Sequence, residues 1–65
     1  MKGTVKKVMY DRNYGFIQVD GEEKDIFFHR SGVEGEFYEF REGLGVEFEL
    51  EETDRGPQAV NVKAI

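Results

Sequence analysis

Hydrophobic and polar residues alternate along several short stretches of this chain, with the period of a β-strand. The clearest stretch is GVEFELE (residues 45–51), in which Val46, Phe48 and Leu50 fall on one side and three glutamates fall on the other. Because successive side chains of a strand point to opposite faces, this stretch predicts a strand with one buried face.

The same reasoning, extended along the chain, predicts five short strands. The last of them, AVNVKAI, has Val60, Val62 and Ala64 in phase with one another and out of phase with its polar residues. No stretch has a convincing helical period. The predicted strands cover residues 2–10, 14–19, 25–29, 45–51 and 59–65.

Turn signals separate the predicted strands. Asp20 and Gly21 form an Asp-Gly pair, which favours a type I′ hairpin turn between the second and third strands. The stretch TDRGP (residues 53–57) is a second turn signal, between the fourth and fifth strands. Residues 31–43 are irregular, contain glycine and are acidic, and they form one long connection between the third and fourth strands.

The predicted strands must be arranged so that their edges are covered, because exposed edges favour aggregation. A chain of 65 residues forms one domain of marginal stability, and curling five strands into a small barrel removes most of the edge. We therefore predict an all-β fold over residues 1–65, a five-stranded antiparallel Greek-key barrel of the oligonucleotide-binding type (OB-fold). An SH3-like barrel is the structural alternative.

Composition removes several classes of function. The chain has no cysteine and only one histidine, which leaves no disulfide and no residue set for a metal site. No nucleophile–base pair or phosphate-binding glycine loop is evident, so we predict no enzyme, no cofactor and no small-molecule substrate. No apolar run approaches the roughly 20 residues of a membrane span and no signal-peptide pattern is present, so we expect a soluble cytoplasmic protein.

The formal net charge of −5 is unevenly distributed along the chain. Residues 1–30 carry six basic and five acidic side chains, whereas residues 31–65 carry three basic and nine acidic ones. Such asymmetry marks either a directed electrostatic surface or an acidic side that keeps the protein in solution. Charge alone does not decide between the two.

Aromatic residues are concentrated in the second and third predicted strands. The pleat divides the side chains of each strand between two faces, and pairing across the intervening turn allows like faces to coincide. The natural core face consists of Ile17, Val19, Ile26 and Phe28. The opposite face then carries four flat side chains, Tyr14, Phe16, Phe27 and His29. Gly15 places no side chain on the core face, which lets the barrel wall pass close there or bend.

These rings cannot all be core residues, because a small closed barrel has only one interior. At least two of them should be exposed, and clustered exposed aromatics are costly unless a ligand covers them. Nucleobases are flat, and stacking of one base on one ring contributes about 1–3 kcal/mol. The basic side chains that border the rings and would contact phosphates are Lys6, Lys7, Arg12, Lys24, Arg30 and Arg55.

The motifs that carry these residues resemble those of the bacterial cold shock domain. YGFIQV resembles the first ribonucleoprotein motif of that family, and DIFFHRS resembles the second. GTVKK is similar to the family's opening strand, EGLGVEFELE to its fourth strand, and DRGPQAVNV to its closing turn and strand. The resemblance covers nearly the whole chain in order. It implies a five-stranded OB-fold barrel, affinity for single-stranded RNA and DNA, and RNA-chaperone action.

The resemblance also implies roles for individual residues. The base-stacking positions of the family correspond to Tyr14, Phe16, Phe27 and His29. An aromatic position in the long loop corresponds to either Phe37 or Tyr38. Basic and polar contact positions correspond to Lys6, Arg12, Asp25 and Arg55.

Two departures from the family pattern replace stacking rings with cations. Lys7 stands where the family commonly has tryptophan, and Arg30 stands where it has phenylalanine. Losing two stacks removes about 2–6 kcal/mol of interaction. A phosphate contact from Lys7, or a guanidinium lying flat on a base, recovers part of that loss. We therefore predict weaker and more salt-dependent binding, with a dissociation constant in the micromolar range, about −8 kcal/mol.

A protein-interaction barrel is the alternative function. Lys7 and Arg30 would then indicate a nucleic-acid surface that has been adapted to an acidic protein partner. The fourth strand offers a second docking surface, although its simpler interpretation is a solvated outer face, formed by Glu47, Glu49 and Glu51. The same acidic strand favours a monomer, since like charges oppose pairing of strands from two copies.

Overall fold

The computed structural model describes residues 1–65 and contains five β-strands. The strands are β1 (Lys2–Met9), β2 (Tyr14–Val19), β3 (Asp25–His29), β4 (Gly45–Thr53) and β5 (Gly56–Ala64). Two short 3-10 turns, Arg30–Gly32 and Phe37–Glu39, lie in the long connection between β3 and β4. No helix of the structure has the length and apolar character that crossing a membrane requires.

The strands close into a barrel in the order β1-β2-β3-β5-β4, so the predicted fold class is confirmed. Four of the five pairings are antiparallel, whereas β3 and β5 run parallel. The prediction of an antiparallel barrel is therefore wrong for this one seam. The reason is geometric: strand directions cannot alternate all the way around a closed ring of five, so one neighbouring pair must be parallel.

One hydrophobic cluster fills the barrel. It includes the four residues predicted for the core face of β2 and β3, all of which are buried. The long connection adds two phenylalanines to the same cluster and so covers one part of the barrel. The buried set consists of Val5, Ile17, Val19, Ile26, Phe28, Phe37, Phe40, Val46, Phe48, Ala59 and Val62.

The alternation predicted for the last two strands fails in part of each strand. Leu50 is 44% exposed, although it is in phase with the buried Val46 and Phe48. It lies in the part of β4 that extends beyond its pairing with β1 and contacts only β5 as a neighbouring strand. In β5, Val62 is buried, but Ala59 is buried as well, whereas Val60 is half-buried and Ala64 is exposed.

A β-bulge explains the change of phase in β5. The register between β4 and β5 shifts between Glu47 and Glu49, and Asn61 has a positive φ of 52°. An extra residue in one strand reverses the faces of the residues that follow it. Asparagine adopts this left-handed conformation more readily than most residues do.

The turn between β2 and β3 also differs from the prediction. A type I′ turn requires positive φ at both central residues. Gly21 has a φ of 80°, but Asp20 is not among the residues with positive φ. The connection spans five residues, 20–24, and the amide of Glu22 donates to the carbonyl of Val19 at 3.1 Å. The turn is therefore part of a longer loop, yet β2 and β3 still pair in the expected way.

Candidate nucleic-acid interface

The pairing of β2 with β3 places four flat side chains on one face of the barrel. Tyr14 lies opposite His29, and Phe16 lies opposite Phe27. All four are half-buried, and the residues between them in sequence point into the core. We call these four residues the aromatic face. Its composition is that expected from the sequence.

The three carbocyclic rings of the aromatic face contact one another. The Tyr14 and Phe27 ring centroids are 5.4 Å apart, and Phe16 makes edge-to-face contacts with Tyr14 at 6.0 Å and with Phe27 at 6.2 Å. Through these contacts each ring stabilises the position of the others and buries part of their surface. The rings therefore form a fixed surface that keeps an accessible outer part.

Close contact between β1 and β2 supports this surface. A Cβ atom added to Gly15 would lie against the carbonyl oxygen of Lys7 and 2.8 Å from Cε1 of Phe28. Only glycine fits where the backbone of β1 and the ring of Phe28 approach from two sides. The close passage predicted at Gly15 is present.

A bulge in β1 brings two consecutive lysines to the same side. The register between β1 and β2 shifts between Val5 and Lys7, so that Lys7 is paired with Phe16. The intervening Lys6 reaches across to Asp25, with Nζ 3.6 Å from Oδ1. Without the bulge, strand alternation would send one of the two lysines towards the core.

Met9 is a neighbour of the aromatic face that the sequence analysis did not identify. It pairs with Tyr14 and is half-buried. Alternation from Lys7 places it on the same side, but this inference requires knowing that the bulge precedes Lys7. Gln58 is a second missed neighbour, since it pairs with Phe27 across the parallel seam between β3 and β5.

His29 is held in one orientation by the turn that follows it. The backbone N–H of Ser31 donates to Nδ1 of the imidazole at 3.0 Å, and Oγ of Ser31 lies 3.0 Å from the same nitrogen. An acceptor nitrogen carries no proton, so the neutral ring has its proton on Nε2. The nitrogen that is free to contact a ligand is therefore a hydrogen-bond donor.

A groove of about 600 Å³ borders the aromatic face. Phe27 and His29 line one part of it, and Asp54, Arg55 and Gln58 line the β4–β5 side. The groove thus combines a ring, a guanidinium and several hydrogen-bonding groups. The structure brings Arg55 to the candidate site, as the sequence analysis expects.

Arg12 and Lys24 lie in loops at opposite ends of β2. Both side chains are exposed, and neither forms an ion pair. The amide of Arg12 donates to the carbonyl of Met9 at 3.1 Å, which keeps this loop close to the end of β1. Arg12 is therefore near the Tyr14 end of the aromatic face.

The structure separates the two aromatic candidates of the long loop. Phe37 is 2% exposed and packs in the core against Phe28, with ring centroids 6.2 Å apart. Its ring offers no face to a base, which leaves Tyr38 as the candidate stacking residue of the loop. Tyr38 is 56% exposed, and its ring stacks on Tyr10 at 5.8 Å. Adjacent positions in a 3-10 turn point in different directions, and here only one of them points inward.

Arg30 does not point freely into solvent. Its guanidinium carbon lies 5.5 Å from the centre of the Tyr38 ring, within the range of a cation–π contact. The backbone N–H of Arg30 donates to the carbonyl of Asn13 at 2.8 Å, next to the pairing of Tyr14 with His29. Arg30 and Tyr38 therefore form a second flat cluster with Tyr10, beside the end of the aromatic face.

Two of the four glutamates of β4 have side-chain partners on the neighbouring β5. Nζ of Lys63 lies 3.5 Å from Oε1 of Glu47, and Nδ2 of Asn61 donates to Oε1 of Glu49 at 3.0 Å. These contacts are on β4 and β5, away from β2 and β3. Glu47 and Glu49 therefore lie on a different surface of the barrel from the aromatic face.

Comparison with known proteins agrees with this geometry. Residues 1–65 match the family described as the 'Cold-shock' DNA-binding domain. The chain belongs to the cold-shock domain family. Members of this family bind nucleic acids, and no catalytic family is indicated.

Individual relatives of this cold-shock domain cover nearly its whole length. It is 50% identical over 62 residues to cold shock protein CspA of Staphylococcus saprophyticus. The matched region covers 94% of this chain and 92% of the relative. It is 48% identical over 62 residues to cold shock protein CspA of Staphylococcus aureus, with the same coverage.

The fold of this cold-shock domain also occurs in a larger solved structure. The Drosophila Unr CSD456 structure superimposes with a TM-score of 0.81 over 98% of this chain, at 23% sequence identity. The present chain spans about a quarter of that protein's length, 26%. At this level of identity the likeness concerns the fold alone.

Proposed function

We propose that this cold-shock domain binds single-stranded RNA and DNA by stacking bases on the aromatic face. The observation that carries the proposal is the register of β2 and β3, in which Phe16 lies opposite Phe27 and Tyr14 opposite His29. Neighbouring strands are about 4.8 Å apart, so rings on both strands offer adjacent platforms to successive bases. Stacking requires no particular base, since every base has a flat face.

Cations around the aromatic face supply the contacts to phosphates. Lys7 is paired with Phe16, Arg12 is near Tyr14, and Arg55 lines the groove beside Phe27. Lys6 and Asp25 form an exposed ion pair that contributes little to stability. Lys6 can therefore exchange Asp25 for a phosphate at low cost, and Asp25 can exchange Lys6 for a hydrogen-bond donor of a base.

Binding by this surface is weak and sensitive to salt, because Lys7 and Arg30 occupy two positions where the resemblance implies rings. We expect micromolar affinity for a pyrimidine-rich hexamer or heptamer, about −8 kcal/mol. If three or four cations contact phosphates, the logarithm of the binding constant falls by about 2–3 for each tenfold increase in salt. Fluorescence anisotropy of a labelled oligonucleotide at several salt concentrations measures both quantities.

Two results of this titration would count against the proposal. Nanomolar binding with little dependence on salt would mean that Lys7 and Arg30 do not weaken the site as argued. No binding at millimolar protein would mean that the aromatic face is not a nucleic-acid surface. If another protein co-purifies with this one in a fixed ratio and no nucleic acid is bound, the protein-interaction alternative is favoured.

We further propose that the protein acts as an RNA chaperone. Bases held on the rings of a single strand are not available for pairing, so transient binding opens weak secondary structure. Adding protein should lower the melting temperature of a marginally stable labelled RNA hairpin, and Phe27→Ala should lose most of this effect. A hairpin that melts at the same temperature with and without saturating protein would contradict chaperone action.

We infer that the protein does this as a monomer with no small-molecule substrate. The outer positions of β4 are acidic, and like charges oppose the pairing of two copies along that strand. A monomer should bind one heptamer per protein chain. Sedimentation of the free protein and of its complex with a heptamer measures the mass of each and tests this.

A further inference from the structure

The ring of Tyr38 is already in contact with a flat group of its own chain. The guanidinium carbon of Arg30 lies 5.5 Å from the centre of this ring. The ring also stacks on Tyr10, with an interplanar angle of 27°. Tyr10 in turn is fixed by its hydroxyl, which donates to the carbonyl of Phe40 at 2.7 Å. Tyr38 therefore contacts two flat neighbours and is still 56% exposed.

The backbone of Arg30 is held on both sides. Its N–H donates to the carbonyl of Asn13 at 2.8 Å, and its own carbonyl accepts from the N–H of Val33 at 3.2 Å. No carboxylate forms an ion pair with its side chain. The cation–π contact with Tyr38 is the interaction that the structure shows for the guanidinium.

We propose that Arg30 occupies the stacking position at Tyr38 in the free protein, and that a base binds there only by displacing it. This inference rests on the proposed function. A guanidinium is planar and stacks on aromatic faces as a base does. Because the guanidinium and the ring are already in contact, a base cannot enter between them unless they separate.

Displacement also changes what Arg30 can do. Once it leaves the ring, its five N–H donors are free to contact a phosphate of the same strand. The exchange replaces a contact within the protein with a charged contact to the ligand. This position therefore favours a nucleotide within a phosphodiester chain over a free nucleoside.

A double-mutant cycle tests the proposal. The variants are Arg30→Ala, Tyr38→Leu and their combination, titrated with a labelled pyrimidine-rich heptamer at low and high salt. At high salt the phosphate contact is screened, and Arg30→Ala should bind about two- to fivefold more tightly because the ring no longer needs to be uncovered. In the Tyr38→Leu background the same change should give no gain. At low salt the gain should shrink or reverse, since the phosphate contact is lost.

Lys63→Ala is the matched control, since it also removes one positive charge but lies where β5 pairs with β4. It should weaken binding slightly at low salt and leave binding at high salt unchanged. Proton NMR of the free protein provides a second readout: Tyr38→Leu should shift the δ protons of Arg30, which lie near the ring.

The possible failures are distinguishable. If Arg30→Ala weakens binding at every salt concentration, and equally with and without Tyr38, Arg30 is only a phosphate contact and the inference is wrong. Unshifted Arg30 protons in Tyr38→Leu would equally overturn it. Absence of binding by the wild-type protein itself overturns the proposed function, and this inference with it.

Discussion

Gly15 shows how a single residue allows the aromatic face to form. It separates Tyr14 from Phe16 in β2, and its missing side chain leaves room for the carbonyl of Lys7 and the ring of Phe28. This close passage lets β1 lie against β2 while the flanking rings remain on the outer side. The two outward rings and the inward glycine are thus one local arrangement, set by three consecutive residues.

Gly15→Ala should destabilise the protein by about 1–3 kcal/mol, because the added methyl group overlaps backbone and ring atoms that cannot both move. Gly45→Ala is the matched control: a Cβ there meets nothing within 4 Å and the residue has no positive φ. Urea unfolding of both variants measures the difference. Equal stabilities of the two variants would show that β1 and β2 separate easily at Gly15.

At the level of the elements, period-two alternation predicts the strands but not their bulges. The bounds of β2 and β3 agree with the sequence prediction, and so do their core and ring faces. Alternation fails beyond Lys6 in β1 and at Asn61 in β5, where each pairing shifts register. A bulge depends on how two strands pair, which a pattern within one strand does not contain. The one local signal in the sequence is the asparagine at the β5 bulge, since asparagine tolerates the positive φ found at Asn61.

The exposure of Leu50 leads to a stability prediction at this scale. Leu50 is 44% exposed, whereas Ile26 is 1% exposed. Ile26→Val removes one carbon from the core and should cost about 0.5–1.5 kcal/mol. Leu50→Ala removes three carbons but should cost no more than this, because solvent already contacts the side chain. Thermal or urea unfolding compares the two, and a loss above about 2 kcal/mol for Leu50→Ala would place that residue in the core.

For the whole molecule, a net charge of −5 is compatible with binding an anionic polymer because part of the acidic charge lies away from the aromatic face, although Asp25 and Asp54 lie beside it. Lys7 and Arg55 border the aromatic face, whereas Glu47 and Glu49 are engaged by β5 on another part of the barrel. Barrel closure produces this separation by turning β4 away from β2 and β3. Added salt therefore weakens both the attraction of a nucleic-acid strand to the cations beside the aromatic face and its repulsion by the more distant glutamates. The attraction is the larger of the two because those cations are nearer.

The whole-molecule arrangement was only partly predictable. Five strands and closure follow from the sequence, and a closed ring of five then requires one parallel pair, which strand patterns do not assign to β3 and β5. The division between Phe37 and Tyr38 was also not predictable, because both are aromatic and consecutive in an irregular segment. Packing decides it: the ring of Phe37 fills the space beside Phe28.

The most direct test of the central claim is a map of the binding surface. A ¹H–¹⁵N correlation spectrum of labelled protein should be recorded while an unlabelled pyrimidine-rich heptamer is added to saturation. We predict that the largest amide shifts occur at Phe16, Phe27 and His29, with little change from Val46 to Glu49. Largest shifts along β4, or an unchanged spectrum at millimolar oligonucleotide, would contradict the account.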